Sequence, residues 1–178
     1  MKKGRKIIVH IAASADGYIA RPDGDVDWLE RAGLKGDHGM VAFFKTIDTI
    51  LWGRKTYTKG IEMGMKESYA PGVKNYLFSR HPQKSLIKGF ELVNEPVKTF
   101  AQRLRGEPGK NIWMMGGADI IASFLDEGEI DGFSIHVIPI MIGEGIPLMS
   151  PRHRSIPLKL LSTKKFPDGV VHLNYRVV

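Results

Sequence analysis

Short apolar runs alternate along this chain with segments of helical period, and most of the runs stop at glycine, serine or proline. Ile7 to Ala13 reads as a first strand. Ser14 to Asp27 reads as a loop, with turn signals at Asp16-Gly17 and Asp23-Gly24. Met40 to Phe44 suits a short helix, Thr49 to Trp52 a buried strand, and Thr56 to Met65 a weak helix interrupted by Gly60 and Gly64. Asn75 to Phe78 reads as a strand and Phe90 to Val93 as a strand at an edge. Proline at position 96 opens a helix to about Arg105, with Val97, Phe100, Ala101 and Leu104 on one face. Ile112 to Met115 is a central strand, Ala118 to Glu127 a helix that turns Ile121, Phe124 and Leu125 to the sheet, and Ile135 to Met141 a further strand. Leu158 to Lys165 and Val170 to Val177 form a hairpin around Pro167-Asp168-Gly169. Alternation of strand and helix followed by two closing strands predicts an α/β fold. Its sheet is mostly parallel, with helices on both faces and an antiparallel C-terminal hairpin.

The 178 residues suit a single domain with a full core, and 43% hydrophobic with 25% charged residues is an ordinary globular balance. No apolar run approaches the roughly 18 residues of a membrane span. The basic start is followed by too short an apolar run for a signal peptide, so the reading is a first strand in a cytoplasmic protein without membrane partners. The absence of cysteine excludes disulfides and the cysteine-ligated zinc of nucleobase deaminases, and no metal site is expected. A net charge of +7 suits a solvated basic surface or an anionic ligand such as a dinucleotide phosphate. The basic residues are scattered and no nucleic-acid-binding motif is present, so nucleic acid is disfavoured as a partner.

Three strand ends carry the candidate chemistry. Gly53-Arg54-Lys55-Thr56 follows an apolar run with a glycine for close backbone approach, two cations and a threonine able to cap a helix. A Walker P-loop would need glycine where Asp48 stands. Ser79-Arg80 ends another run, and an arginine fork with a hydroxyl suits a phosphate monoester, with His81 placed to assist. Gly116-Gly117-Ala118-Asp119-Ile120 joins a strand to a helix and lacks the GxGxxG spacing of a Rossmann domain. Each motif alone also fits a plain structural turn or a capped helix; together they suggest a dinucleotide lying across the carboxyl ends of a sheet.

In order and content these segments resemble the dihydrofolate-reductase-like superfamily, and within it the C-terminal reductase domain of the riboflavin-pathway deaminase-reductase. The run Ile138-Pro139-Ile140-Met141-Ile142-Gly143-Glu144-Gly145-Ile146-Pro147-Leu148 resembles the riboflavin branch specifically. The resemblance implies NADPH as cofactor, with Gly53, Arg54, Lys55 and Thr56 at its pyrophosphate and Ser79 and Arg80 at its 2′-phosphate. It places the cofactor across Gly116, Gly117, Ala118, Asp119 and Ile120, with the glycine pair joined by a cis peptide under the nicotinamide. The loop Ala12 to Ala20 resembles the segment that covers the nicotinamide, with Ala13 and Ile19 in contact, although taken alone an ordinary Asp-Gly turn is the favoured explanation.

Asp27 beside Trp28 could be a partly desolvated acid that binds substrate and donates a proton, or a helix N-cap next to a packing tryptophan. Gly143 and Gly145 would border the substrate pocket. The branch usually has Asp-Glu before this strand, where this chain has Asp131-Gly132, and the missing carboxylate bears on whether the pathway reaction is retained. The expected activity is NADPH-dependent reduction of a flat heterocycle, the family reaction being that of 5-amino-6-(5-phosphoribosylamino)uracil. A dihydrofolate or pterin reductase and a non-catalytic nucleotide-binding module are the alternatives. A homodimer is expected from the family, with the Ile135 to Ile142 strand or the C-terminal hairpin pairing two subunits.

Overall fold

The computed structural model of the protein describes residues 4–67, 72–80 and 85–178, with the side chain of Arg31 left out. In chain order the elements are β1 (Ile7–Ser14), β2 (Tyr18–Ala20), α1 (Trp28–Arg31), α2 (Met40–Phe44), β3 (Ile47–Gly53), α3 (Arg54–Glu62), β4 (Lys74–Phe78) and β5 (Phe90–Val93). They continue with α4 (Val97–Gly106), β6 (Asn111–Gly116), α5 (Ala118–Asp126), β7 (Gly132–Ile138), β8 (Ile146–Pro147), β9 (Leu158–Lys165) and β10 (Val171–Val177). Eight strands form one sheet in the order β5-β4-β3-β6-β1-β7-β10-β9. The pairings from β5 through to β7 are parallel, and β10 and β9 continue the sheet antiparallel. The carboxyl ends of β1, β3, β4, β6 and β7 therefore share one edge of the molecule.

Strand alternation divides the core into two layers. Ile7, Val9, Leu51, Ile112 and Met114 turn to one face, where α4 and α5 cover them with Phe100, Leu104, Ile121 and Phe124. Ile50, Trp52, Leu77 and Trp113 turn to the other, against Tyr57 of α3 and Phe43 and Phe44 of α2. This is the two-faced layering predicted from the pattern. At the amino ends of the strands, buried Arg105 ties α4 to the sheet. Its guanidinium bonds Glu129 Oε2 at 3.1 Å and the Arg5 carbonyl at 2.7 Å, and pairs with Asp131 at 2.7 Å.

Several boundaries differ from the sequence reading, each for a local reason. The strand expected at Ile135 to Met141 is β7, three residues earlier, because Pro139 has no N–H to continue the ladder. The helix expected from Thr56 begins at Arg54, directly behind an extended Gly53 (φ −80°, ψ 151°). The loop expected from Ser14 to Asp27 contains β2, which pairs with β8 far along the chain. Among the described residues no helix is long and apolar enough to cross a membrane.

Candidate functional site

The tips of β3 and β6 lie in direct contact. A Cβ at Gly53 would stand 3.1 Å from Ile120 Cγ2, 3.2 Å from the Gly116 carbonyl oxygen and 3.3 Å from Gly117 N. Across the same junction, a Cβ at Gly117 would stand 3.2 Å from Thr56 Oγ1. The Gly116–Gly117 peptide is cis, and Gly116 has φ +103°, a conformation that glycine alone adopts readily. Gly53 and Gly117 are the N-cap residues of α3 and α5, so two nine-residue helices begin side by side at this junction. Glycine has no side chain to cap the first-turn amides, which leaves both positive helix ends available to an anion. Arg54 and Lys55 are exposed in the first turn of α3.

Ala118 and Ile120 are buried, while Asp119 is exposed. The Asp119 carboxylate accepts a hydrogen bond from Ser150 Oγ and a 3.3 Å bond from Lys55 Nζ. These contacts, the serine foremost, hold its carboxyl below the usual range. The tail after β8 thus reaches back to the N-terminus of α5, where Ser150 N also donates to the Ala118 carbonyl at 3.2 Å. Ser79 and Arg80 follow β4 on the same edge, with Arg80 exposed. His81, expected to assist Arg80, lies outside the described residues.

On the other side of β6, β1 brings buried Ala13 to the edge, and half-buried Ile19 lies in β2. Gly143 and Gly145 meet this loop directly. Gly143 N donates to Asp16 Oδ2 at 2.8 Å, and a Cβ at Gly145 would stand 2.2 Å from the Ala20 carbonyl oxygen. The Asp27 carboxylate receives a 2.6 Å bond from Arg21 Nε and makes no side-chain cap to α1. Trp28 is fully buried with Ile138 and Val170, and its Nε1 has no hydrogen-bond partner among the described residues. Asp27 therefore sits in an ion pair and is not capped against the helix, while the neighbouring tryptophan is a core residue.

The expectation attached to position 132 needs correction. Gly132 opens β7 and pairs with Ile8 and Arg176, at the end of the strand opposite Ile138. Six residues of parallel strand put it about 20 Å from the tips. A carboxylate there would not reach a ligand lying across the carboxyl edge, so its absence does not weigh on that site.

The sequence reading missed Arg21, Ser150 and the role of Asp16. Ser150 carries no local signal, since its partner Asp119 lies 31 residues away and is brought close only by the fold, whereas Arg21 meets Asp27 only six residues along its own loop. Two cavities lie away from the strand tips. One of about 430 Å3 borders Arg5, Lys45 and Lys110, and one of about 320 Å3 borders His10, Ser134 and His172.

Comparison with known proteins agrees with the fold. The RibD C-terminal domain family matches residues 95–172. The uncharacterized protein YwjB of Bacillus subtilis (strain 168) is 37% identical over 166 residues, covering 93% of this chain and 95% of its own. A solved structure of a riboflavin-biosynthesis candidate from Shewanella sp. PV-4 superposes with a TM-score of 0.79 at 25% identity, covering 97% of this chain and 99% of that one. Dihydrofolate reductase from Enterococcus faecalis, complexed with NADP(H), shares the fold with a TM-score of 0.69 at 15% identity, covering 99% of each chain. The fold is that of the dihydrofolate reductases. Within it, this chain belongs to the RibD C-terminal domain family.

Proposed function

We propose that this protein is a single-domain NADPH-dependent reductase that passes a hydride to a pyrimidine- or pterin-like heterocycle. The observation that carries this reading is the junction of Gly53 with Gly116 and Gly117, where two helices begin side by side with two cations exposed. A pyrophosphate would receive first-turn N–H groups from α3 and charge from Arg54 and Lys55. The absence of side chains at the three glycines fits close approach of a flat ring and its phosphates. Ser79 and Arg80 would take the 2′-phosphate, and Ala13, Ile19 and Ala118 to Ile120 would flank the nicotinamide. NADPH supplies the hydride; the chain's own contribution is to hold ring and substrate in register and keep water out.

On the substrate side the reading assigns Asp27, Gly143 and Gly145, while fully buried Trp28 only packs behind them, with 5-amino-6-(5-phosphoribosylamino)uracil and dihydrofolate as the first compounds to assay. The proton would come from water or from an acid such as Asp27, whose pairing with Arg21 requires that pair to open or a water to deliver the proton. Calorimetric titration tests the cofactor assignment. Wild type should bind NADPH well and NADH weakly. Arg80→Ala should weaken NADPH about tenfold or more while leaving NADH within about twofold. Equal loss for both cofactors would remove Arg80 from the 2′-phosphate. NADPH binding without oxidation across pyrimidine and pterin compounds would favour a nucleotide-binding module.

One observation also favours a homodimer. The edge strand β9 is exposed along its whole length and presents Leu158, Leu160 and Leu161 at 42%, 49% and 60% exposure. An uncovered apolar edge invites pairing with a second chain. Light scattering should give twice the monomer mass, and Leu160→Lys should shift the protein toward monomer.

A further inference from the structure

We propose that Asp16 is a positioning residue whose carboxylate latches the loop from 14 to 20 onto the segment from 140 to 147. The nicotinamide-side and substrate-side walls then form one unit. The inference rests on the dinucleotide reading for its functional consequence, and on geometry for the latch itself.

Asp16 Oδ1 accepts from Ser14 Oγ at 2.6 Å. Its Oδ2 accepts from Gly143 N at 2.8 Å and from Ile142 N at 3.1 Å. Ser14 Oγ in turn accepts from Tyr18 N at 3.0 Å, and Ala15 N donates to the Ile140 carbonyl at 2.8 Å. Beyond the carboxylate, Tyr18 and Ala20 pair with Pro147 and Ile146. Gly145 passes so close to Ala20 that a Cβ would fall 2.2 Å from its carbonyl oxygen.

An Asp-Gly turn explains part of this arrangement. Gly17 N donates to the Ser14 carbonyl at 2.9 Å, and Gly17 has φ +90°. The turn does not explain why the carboxylate takes two successive amides 126 and 127 residues away. Those amides belong to a glycine-rich turn, and a carboxylate is the strongest acceptor a side chain offers. The serine and amide bonds hold the Asp16 carboxyl below its usual range, so the latch engages in its charged form. Ala13 and Ile19, the nicotinamide contacts of the proposed function, flank Ser14 and Asp16 on the near wall. Gly143 and Gly145 form the far wall. Cutting the bond between the walls should loosen the nicotinamide end of the site and leave the phosphate end, built by β3, α3 and β4, as it is.

The test compares NADPH with 2′-phospho-ADP-ribose, which keeps the phosphates and lacks the nicotinamide. Asp16→Ala should weaken NADPH about tenfold and leave the fragment within about twofold, with Asp16→Asn in between because it retains one acceptor. Equal weakening of both ligands, or of neither, would overturn the positioning role. Hydrogen exchange on the ligand-free protein supplies a second readout. The Ile142 and Gly143 amides should exchange faster in both variants, together with residues 14 to 20, while the β3 and β6 amides stay protected. Unchanged exchange at 142 and 143 would overturn the latch. If wild type binds neither ligand, the dinucleotide reading fails, and the exchange experiment still decides whether the latch exists.

Discussion

Gly132→Glu should destabilise the protein by about 3–4 kcal/mol or prevent folding, and should not enhance any activity. Riboflavin-branch relatives are expected to carry a glutamate at this place, so the change looks like a restoration. The packing argues otherwise. Gly132 is buried between β1 and β10, and a Cβ there would stand 2.5 Å from the Tyr175 carbonyl oxygen. That oxygen belongs to backbone within a ladder, so relief requires moving β10, not turning a side chain. The register partner Arg176 offers a charge to the new carboxylate but no room for its Cβ. The nearby acids Glu129 and Asp131 already share Arg105. Gly132→Ala separates the two effects and should cost about 1–3 kcal/mol from the contact alone. Urea unfolding measures both. A Gly132→Glu protein as stable as wild type would show that the strands can separate here without cost.

The same position illustrates what was legible in the sequence. Apolar runs such as Ile50-Leu51-Trp52 announced buried strands, and Phe100, Leu104, Ile121 and Phe124 announced the faces of α4 and α5, because period and burial are local properties. The glycine-ended tips were legible for the same reason: a turn that admits no side chain must be written in glycine. Their contact was not. Nothing near Gly53 in the chain says that Gly116 and Gly117 lie against it; that follows from β6 inserting between β3 and β1, a matter of strand order. Asp16 illustrates the limit more sharply. Its immediate neighbours encode a turn, and its partners at Ile142 and Gly143 become visible only once β2 meets β8. Position 132 failed in the opposite direction, because a motif next to a functional segment in sequence lies at the far end of the same strand in space. Trp28 took the place of a core residue for the same kind of reason: Val170 and Ile138, which bury it, come from distant segments.

The histidines give the second large effect, a loss of stability as pH falls from about 7 to 4.5. In the sequence, His10, His136 and His172 only interrupt apolar runs. Register sets them together, His136 opposite both Ala12 and His172, and His10 opposite Ser134. His136 and His172 stack at 4.2 Å, and His10 stacks on Phe43 at 3.8 Å. Ser134 Oγ bridges His10 Nδ1 at 2.8 Å and His172 Nε2 at 2.7 Å, and His136 Nε2 donates to the His38 carbonyl at 3.0 Å. Lys164 faces His172 from β9, and Asp168 meets His38 at 2.7 Å. Burial, reinforced by the neighbouring imidazoles, lowers His10 to about 3 and His136 to about 4, and burial with the Lys164 charge lowers His172 as well.

Groups depressed in the folded state take up protons more readily when unfolded. Their stabilisation is therefore complete above the unfolded value near 6.5 and is lost as pH falls toward the folded values. At pH 4.5 the loss from His10 and His136, reduced for the partial solvent screening of His136, comes to about 3–4 kcal/mol. The window is diagnostic, because the depressed carboxylates of Asp16, Asp37, Asp119 and Asp168 lose their contribution only below about 4. Urea unfolding across this range should show a steep slope in wild type and a shallower one in His10→Asn and His136→Gln, each variant taking up about one proton fewer on unfolding. Stability that stays level between pH 7 and 4.5, or a slope indifferent to both substitutions, would mean that the folded protein accommodates charged imidazoles on this face. The cluster would then contribute packing alone, with Phe43 and Trp113 as its principal partners.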